Sequence, residues 1–120
     1  MSNAFLNEPS ILMTVKKLLG LTEEYTAFDM DIVIHINSVL SNLNQMGVGP
    51  EEGFLVTGCE ETWDEYISEP NPNKFQQIKT YIYQKVRVLF DPPANSNLLE
   101  ALNKSISELE YRLYTEKGGY

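Results

Sequence analysis

The feature that most constrains the fold is a proline pair, Pro92-Pro93, that follows Asp91 between two segments of helical periodicity. Proline lacks an amide hydrogen and biases the preceding residue towards extended backbone, so a helix cannot continue through this point. Apolar residues recur at helical spacing on both sides of this structural corner, in residues 74–90 and 96–113. The sequence therefore predicts two long antiparallel helices, packed through Ile82, Val86, Leu89, Leu102, Ile106 and Leu109.

Two further helices precede this pair. A long helix is predicted over residues 27–46, where apolar residues recur at steps of three and four. Asp29 and Asp31 suit the positive end of its dipole, and Gly47 is a typical helix stop. A short helix is predicted over residues 10–19, with Ser10 as its cap and Gly20 at its end.

The caps of the last two long helices are predicted from their polar residues. Asn73 precedes the first of these helices and is typical of an N-cap. Asn97 and Glu100 have the spacing of a capping box, which places the start of the second helix near Ser96 or Asn97.

The middle of the chain is predicted to be a loop, because glycine and proline are dense between Gly47 and Gly58. This loop surrounds the apolar run Phe54-Leu55-Val56, which either packs on its own domain as a short strand or lid, or contacts a partner. Residues 60–68 are predicted to form a brief helix. Its Trp63 is expected mainly as a core residue, and a contact with another subunit is the alternative.

These segments define an all-α fold, a small helical bundle of three long helices plus one or two short helices, with an acidic glycine-containing loop. A chain of 120 residues suits one domain. We expect a single helical domain over residues 10–114, a flexible N-terminus over 1–9 and a flexible tail over 115–120. Ser2-Asn3-Ala4 resembles the remnant of an expression tag. No apolar run approaches the roughly 18 residues of a membrane span, so no membrane is expected.

Charge is segregated along the chain, whose formal net charge is -8. Eleven acidic residues and no Lys or Arg lie between Leu18 and Asn73, whereas residues 74–90 contain four basic residues and no acid. This balance argues against general nucleic-acid binding. The two stretches either neutralise each other within one fold or form an acidic and a basic side that meet in a ring. The candidate interface residues are Phe54, Leu55, Glu60, Glu61, Asp64, Glu65, Lys79, Lys85 and Arg87.

No motif for catalysis or a cofactor is found. The chain has one histidine, His35, and one cysteine, Cys59, which are too few for a His/Cys metal site. Glu60, Glu61, Asp64 and Glu65 lack the ligand spacing of a calcium loop. We expect Cys59 to be half-buried and His35 to be partly buried and hydrogen-bonded. The sequence thus predicts a protein without enzymatic activity, metal or cofactor.

The order of four stretches resembles the helical head-tail connector proteins of tailed bacteriophages that infect Gram-positive bacteria. These stretches read LNQMGVG, ETWDEYI, IKTYIYQKVRVLFDPP and LLEALNKSISELEYRL. The resemblance extends from about Ser10 to Leu113, and the junction around Pro92-Pro93 is its most specific part.

The resemblance implies a structural role in the phage neck after synthesis in the host cytoplasm. The expected partners are other copies of the chain in a ring of roughly a dozen, the portal protein and the next neck or tail-completion protein. DNA would pass through the ring without specific binding. The alternative from a different class is a cytoplasmic module that binds a partner protein through the loop around Phe54.

Overall fold

The computed structural model describes residues 8–68 and 70–116, and its regular structure is helical. The helices are α1 (Ile11–Leu18), α2 (Asp29–Gln45), the single turn α3 (Trp63–Tyr66), α4 (Pro72–Phe90) and α5 (Ser96–Glu116). One isolated antiparallel bridge joins Ser10 to Thr62. The all-α prediction is confirmed. The predicted flexible ends fall largely on residues 1–7 and 117–120, which lie outside the described residues.

Helix α4 is the centre of the bundle, because α2 packs on one side of it and α5 on the other. Its apolar residues cover more than one side, which is typical of a central helix. The phenol of Tyr81 reaches α5, where it donates to Glu110 Oε2 at 2.8 Å. On the α2 side, the ring of Phe90 packs edge-on against Phe28, with centroids 5.3 Å apart. The first helix, α1, packs on both α2 and α4.

Trp63 anchors the middle of the chain to α1 and is almost completely buried, which confirms its predicted place in the core. Its indole Nε1 donates to Thr14 Oγ1 at 3.0 Å, and its backbone amide donates to the Pro9 carbonyl at 2.9 Å. The Thr14 hydroxyl donates in turn to the Ser10 carbonyl at 2.8 Å. A buried indole needs such a partner, so the short α3 turn is fixed on α1.

The segment before α1 is also docked. Lys17 Nζ lies 2.7 Å from Glu8 Oε1, and the Ser10 amide donates to Glu8 Oε2 at 3.2 Å. The Lys17 ammonium holds the pKa of the Glu8 carboxyl below its ordinary value, and Glu8 raises the pKa of Lys17. Glu8 and Pro9 therefore contact the domain, although they belong to the segment that was predicted to be flexible.

Two predicted caps are wrong by a few residues. Asn71 caps α4 in place of Asn73, because its side chain accepts from the Asn73 and Lys74 amides and Pro72 then occupies the first helical position. Proline suits that position because its missing amide would have no helical partner. Likewise, Asn95 precedes α5 and accepts from the Asn97 and Leu98 amides, which replaces the predicted capping box of Asn97 and Glu100.

The predicted contact between α4 and α5 is formed, with one correction. Ile82, Val86, Ile106 and Leu109 belong to the core, and Leu102 is half-buried against it. Leu89 is 48% exposed, because it lies in the last turn before the corner, where the core ends. The end of α4 at Phe90 agrees with the break expected from the two prolines.

Candidate assembly interface

The loop between α2 and α3 is held on α2 by two asparagine side chains. Asn37 binds both polar backbone groups of Val56, donating from Nδ2 to the carbonyl at 2.9 Å and accepting from the amide at 2.8 Å. Asn44 Nδ2 donates to the Pro50 carbonyl at 2.8 Å. These bonds pair backbone groups of Val56 and Pro50 in an irregular segment that lies along a helix.

The apolar run of this loop is divided between the core and the surface. Val56 is buried, and Phe54 is half-buried with its ring 5.4 Å from that of Tyr66. Leu55 is 68% exposed. The run therefore packs on its own domain, which agrees with one of the two predicted alternatives. Its backbone is irregular and does not form a strand. Of its three side chains, Leu55 is the one that projects from the surface.

Of the four candidate acids, two have local structural roles. Glu61 accepts from the Thr57 hydroxyl and the Gly58 amide, and the hydroxyl bond lowers the pKa of the Glu61 carboxyl. Glu65 forms a capping box with Thr62 at the start of α3. The other two, Glu60 and Asp64, are exposed. These two are the acids of the set that are best placed to contact another molecule.

The candidate bases lie on α4. The Lys79 side chain is largely buried, with its ammonium 4.5 Å from the ring centre of Phe75 and 5.2 Å from that of Trp63. Burial lowers the pKa of Lys79, and the charge of Asp64 partly opposes this shift. Cation–π contacts stabilise the ammonium in place of water. Lys79 therefore makes its described contacts within its own subunit.

The other two candidate bases have partners on α4 or α5. Lys85 Nζ lies 3.7 Å from Glu110 Oε2, and Arg87 Nη1 lies 3.4 Å from the Tyr83 hydroxyl, to which it donates. Lys85 is therefore paired with an acid outside the acidic stretch. Asp64, in the acidic stretch, lies close enough to influence the pKa of Lys79, in the basic one.

A buried charge near the start of the chain was not predicted. Lys16 is fully buried, its ammonium is 2.9 Å from Asp29 Oδ1, and it donates to the Glu23 carbonyl at 3.1 Å. The pair links α1 to the first turn of α2. The residue in the sequence that could have indicated this pair is Asp29 at the start of α2. It was interpreted only as a favourable charge at the positive end of the helix dipole.

Two single residues of interest lie at the surface or close to it. Cys59 is exposed, so the expectation that it is half-buried is wrong, because the loop carries it past the point where Val56 is anchored. His35 is half-buried and packs edge-on against Phe90, with ring centroids 6.4 Å apart. Ring packing accounts for its position, and no hydrogen bond of His35 is seen among the described residues.

Within residues 8–68 and 70–116, no cluster of three or more His, Cys, Asp or Glu side chains is suited to hold a metal ion. Nor do the described helices include one that is both long and apolar enough to cross a membrane.

The sequence profile of the family described as phage connector protein matches residues 11–119, which include α1 to α5. A match over nearly the whole chain shows membership, so this chain belongs to the phage connector protein family. No protein of curated function and no solved structure matches the chain significantly.

Proposed function

We propose that this chain is a structural subunit of the phage neck, where a ring of its copies docks on the portal and connects the head to the tail. The family match over residues 11–119 carries this proposal. The ring, of roughly a dozen copies by family resemblance, would extend the DNA channel towards the next neck or tail-completion protein. No catalytic step is part of this function.

The charge of the chain supports a role beside DNA. Exposed acids are frequent in the acidic stretch and include Glu51, Glu52, Glu60 and Asp64. A channel lined by such residues repels phosphate, so that DNA slides through without binding.

Exposure at the surface supports three of the residues proposed for contacts between subunits or with the portal. Leu55, Glu60 and Asp64 are exposed, whereas Glu61 and Glu65 stabilise their own loop and helix cap. Replacing all four acids would therefore combine an effect on assembly with an effect on folding. A sharper variant changes only Glu60 and Asp64.

The role in the neck is tested by deleting the gene from the phage that encodes it. We expect DNA-filled or emptied heads without tails in electron micrographs, and tailed particles again when the gene is supplied in trans. Micrographs of the purified protein mixed with its portal should show a ring on the portal. Tailed, infectious particles in the absence of the gene would overturn the proposal.

The exposed acids are tested by Glu60→Lys combined with Asp64→Asn, which removes the charge of Asp64 without placing a second cation near Lys79. We expect circular dichroism and thermal melting of the subunit to stay nearly unchanged, because exposed charges contribute little to stability. Portal docking and tailed particles should be lost. The matched control is Glu24→Lys with Glu100→Gln, which changes the net charge equally at two exposed acids that are not named in the proposed channel lining. A lower melting temperature in the test variant alone would mean that these charges are matched within the subunit.

A further inference from the structure

The outward side of α2 has two large apolar residues that its own subunit does not cover. Met30 is 76% exposed and Ile34 is 59% exposed, although both belong to a helix whose opposite side is packed on α4. They lie one turn apart and therefore share one side of the helix. Single exposed apolar residues are common, but two neighbours of this exposure indicate a surface that another molecule covers.

The middle loop extends this surface. Leu55 lines a groove of about 460 Å³ with Leu40 and Ser41 of α2, and Ser41 lies two helical turns beyond Ile34. The exposed Leu55 side chain thus lies beside the same helix. We call Met30, Ile34 and Leu55 the α2 surface.

A second exposed surface lies on α5, which packs on α4. Lys104, Ser107 and Tyr111 occupy successive turns of α5 and are all exposed, with Tyr111 at 65%. The buried residues of α5, Ile106, Leu109 and Leu113, lie on its other side, against the core that contains α4. We call Lys104, Ser107 and Tyr111 the α5 surface.

The two surfaces are complementary in chemistry and in position. Asp31 adjoins the α2 surface, in a stretch without Lys or Arg from Leu18 to Asn73, whereas the groove along the α5 surface is lined by two bases, Lys104 and Arg112, and one acid, Glu108. Since α2 and α5 both pack mainly on α4, one copy can present both surfaces at once. Two different surfaces on one copy are what a head-to-tail ring contact requires.

We propose that the α2 surface of one copy packs against the α5 surface of the next copy, an inference that rests on the ring in the proposed function. The contact continues the layers of helices from one subunit into the next. Ile34 is buried against Tyr111, Met30 and Leu55 lie towards the two ends of the contact, and Asp31 faces Lys104. Aromatic residues with a polar tip suit such an interface because they contribute a large apolar area and still tolerate water at its rim.

The direct test is cross-linking in particles of the encoding phage whose own gene carries the variant. Cys59 is exposed and is first replaced by Cys59→Ser. Ile34→Cys and Ser107→Cys are then combined and treated with a bismaleimide of about 10 Å, the separation of packed helix axes. We expect a ladder of covalent oligomers, and monomers from either single variant. Thr80→Cys with Ser107→Cys is the control, because Thr80 is exposed on α4.

The other possible results of the cross-linking experiment separate the inference from the proposed function. Dimers from Ile34→Cys alone would show that two α2 surfaces meet, and this would overturn the inference. Particles that contain the protein but give no ladder from the Ile34/Ser107 pair would overturn it as well, while the proposed function stands. Tailed particles that lack the protein would overturn the proposed function together with the inference.

A charge exchange tests the same contact without a reagent. Asp31→Lys or Lys104→Asp alone places like charges opposite each other, and we expect about a tenfold loss of tailed particles from each. The combined variant should recover most of the yield, because the pair is restored with its signs exchanged. A combined variant no better than the worse single variant would reject the contact between Asp31 and Lys104.

Discussion

The helical bundle and the middle loop are stabilised in different ways. In the bundle, α2 contributes the fully buried side chains Ile32, Ile36, Val39 and Leu43 to a core shared with α1, α4 and α5. Between Gly47 and Thr62, the buried apolar residues are Val48 and Val56, and the backbone is held by polar side chains such as Asn37 and Asn44. The bundle depends on burial and the loop on a small number of hydrogen bonds.

This difference separates a rigid part from an adjustable one. A buried apolar side chain stabilises by roughly 1.5–3 kcal/mol, and a net hydrogen bond by about 1 kcal/mol. The loop can therefore open at a small fraction of the cost of global unfolding. We expect residues 47–58 to exchange their amide hydrogens rapidly in the free subunit and slowly in the assembly. Strong protection of this loop in a verified monomer would contradict the comparison.

The largest effect is expected from a charge in the bundle. Leu109→Asp places an unpaired carboxylate between α5 and α4, which costs several kcal/mol against a typical total stability of about 5–15 kcal/mol. The variant should lose its cooperative melting in circular dichroism. Ser107→Asp is the control, because Ser107 is exposed two residues earlier on the same helix. Cooperative melting of Leu109→Asp near the temperature of the unchanged protein would show that the core is not where we place it.

A smaller effect is expected where the loop turns against Tyr66. Gly49 has a φ of +90°, and a Cβ added there would lie 2.8 Å from Tyr66 Cε1, so Gly49→Ala must both strain the backbone and displace a buried ring. We expect a loss of about 3 kcal/mol in the free energy of unfolding. Gly53→Ala separates the two causes, since Gly53 has a φ of +92° but open space around it. Gly53→Ala should lower the free energy of unfolding by about 1 kcal/mol. Equal losses in urea unfolding would mean that the contact with Tyr66 is unimportant.

The sequence was sufficient to predict the helices, because their apolar spacing and the proline corner are local signals. The apolar residues on more than one side of α4 were compatible with a central helix or with burial by assembly, and the contacts of α4 with both α2 and α5 were known only from the structure. Caps were less certain, since Asn71 and Asn73 are both suitable residues, and only the position of Pro72 within the helix selects Asn71. Leu89 continues the apolar spacing of α4, and its exposure depends on where the core ends.

The candidate interface was harder to predict, because it depends on which charges find a partner within the subunit. Lys79 looked like an exposed base on a helix, but Trp63 and Phe75 enclose it, and they are distant from each other in sequence. The two hydrogen bonds between the Asn37 side chain and the Val56 backbone have no local sequence signal either, since they join residues nineteen positions apart. Met30 and Ile34 could be recognised as uncovered only once α2 was placed on α4.

Removing the hydrogen bonds of Asn37 should change the free energy of unfolding by an intermediate amount. Asn37→Ala leaves the amide and carbonyl of Val56 without their side-chain partner, and we expect a loss of about 2 kcal/mol in the free energy of unfolding. Amide exchange should rise in residues 50–57 and stay unchanged in α4 and α5. Ser38→Ala, at the exposed next position of α2, should affect neither quantity. Faster exchange throughout the bundle would show that loop and bundle unfold as one unit.

The smallest change in the free energy of unfolding is expected from removing the hydroxyl of a buried tyrosine, and each region has one such tyrosine. The hydroxyl of Tyr66, beneath the loop, is buried and has no hydrogen-bond partner within residues 8–68 and 70–116, and burial raises the pKa of this phenol. The hydroxyl of Tyr81, in the bundle, donates to Glu110 at 2.8 Å.

Replacing each tyrosine by phenylalanine should therefore change the free energy of unfolding with opposite signs. Tyr66→Phe removes a polar group that gains nothing from its surroundings, so stability should stay equal or rise by up to about 1 kcal/mol. Tyr81→Phe removes a bond to a carboxylate and leaves Glu110 with Lys85 alone, so stability should fall by about 1–2 kcal/mol. Urea unfolding of the two variants measures both changes. A clear loss from Tyr66→Phe would mean that this hydroxyl has a partner in solution, and the region beneath the loop would then be held by polar contacts of the same kind as the loop itself.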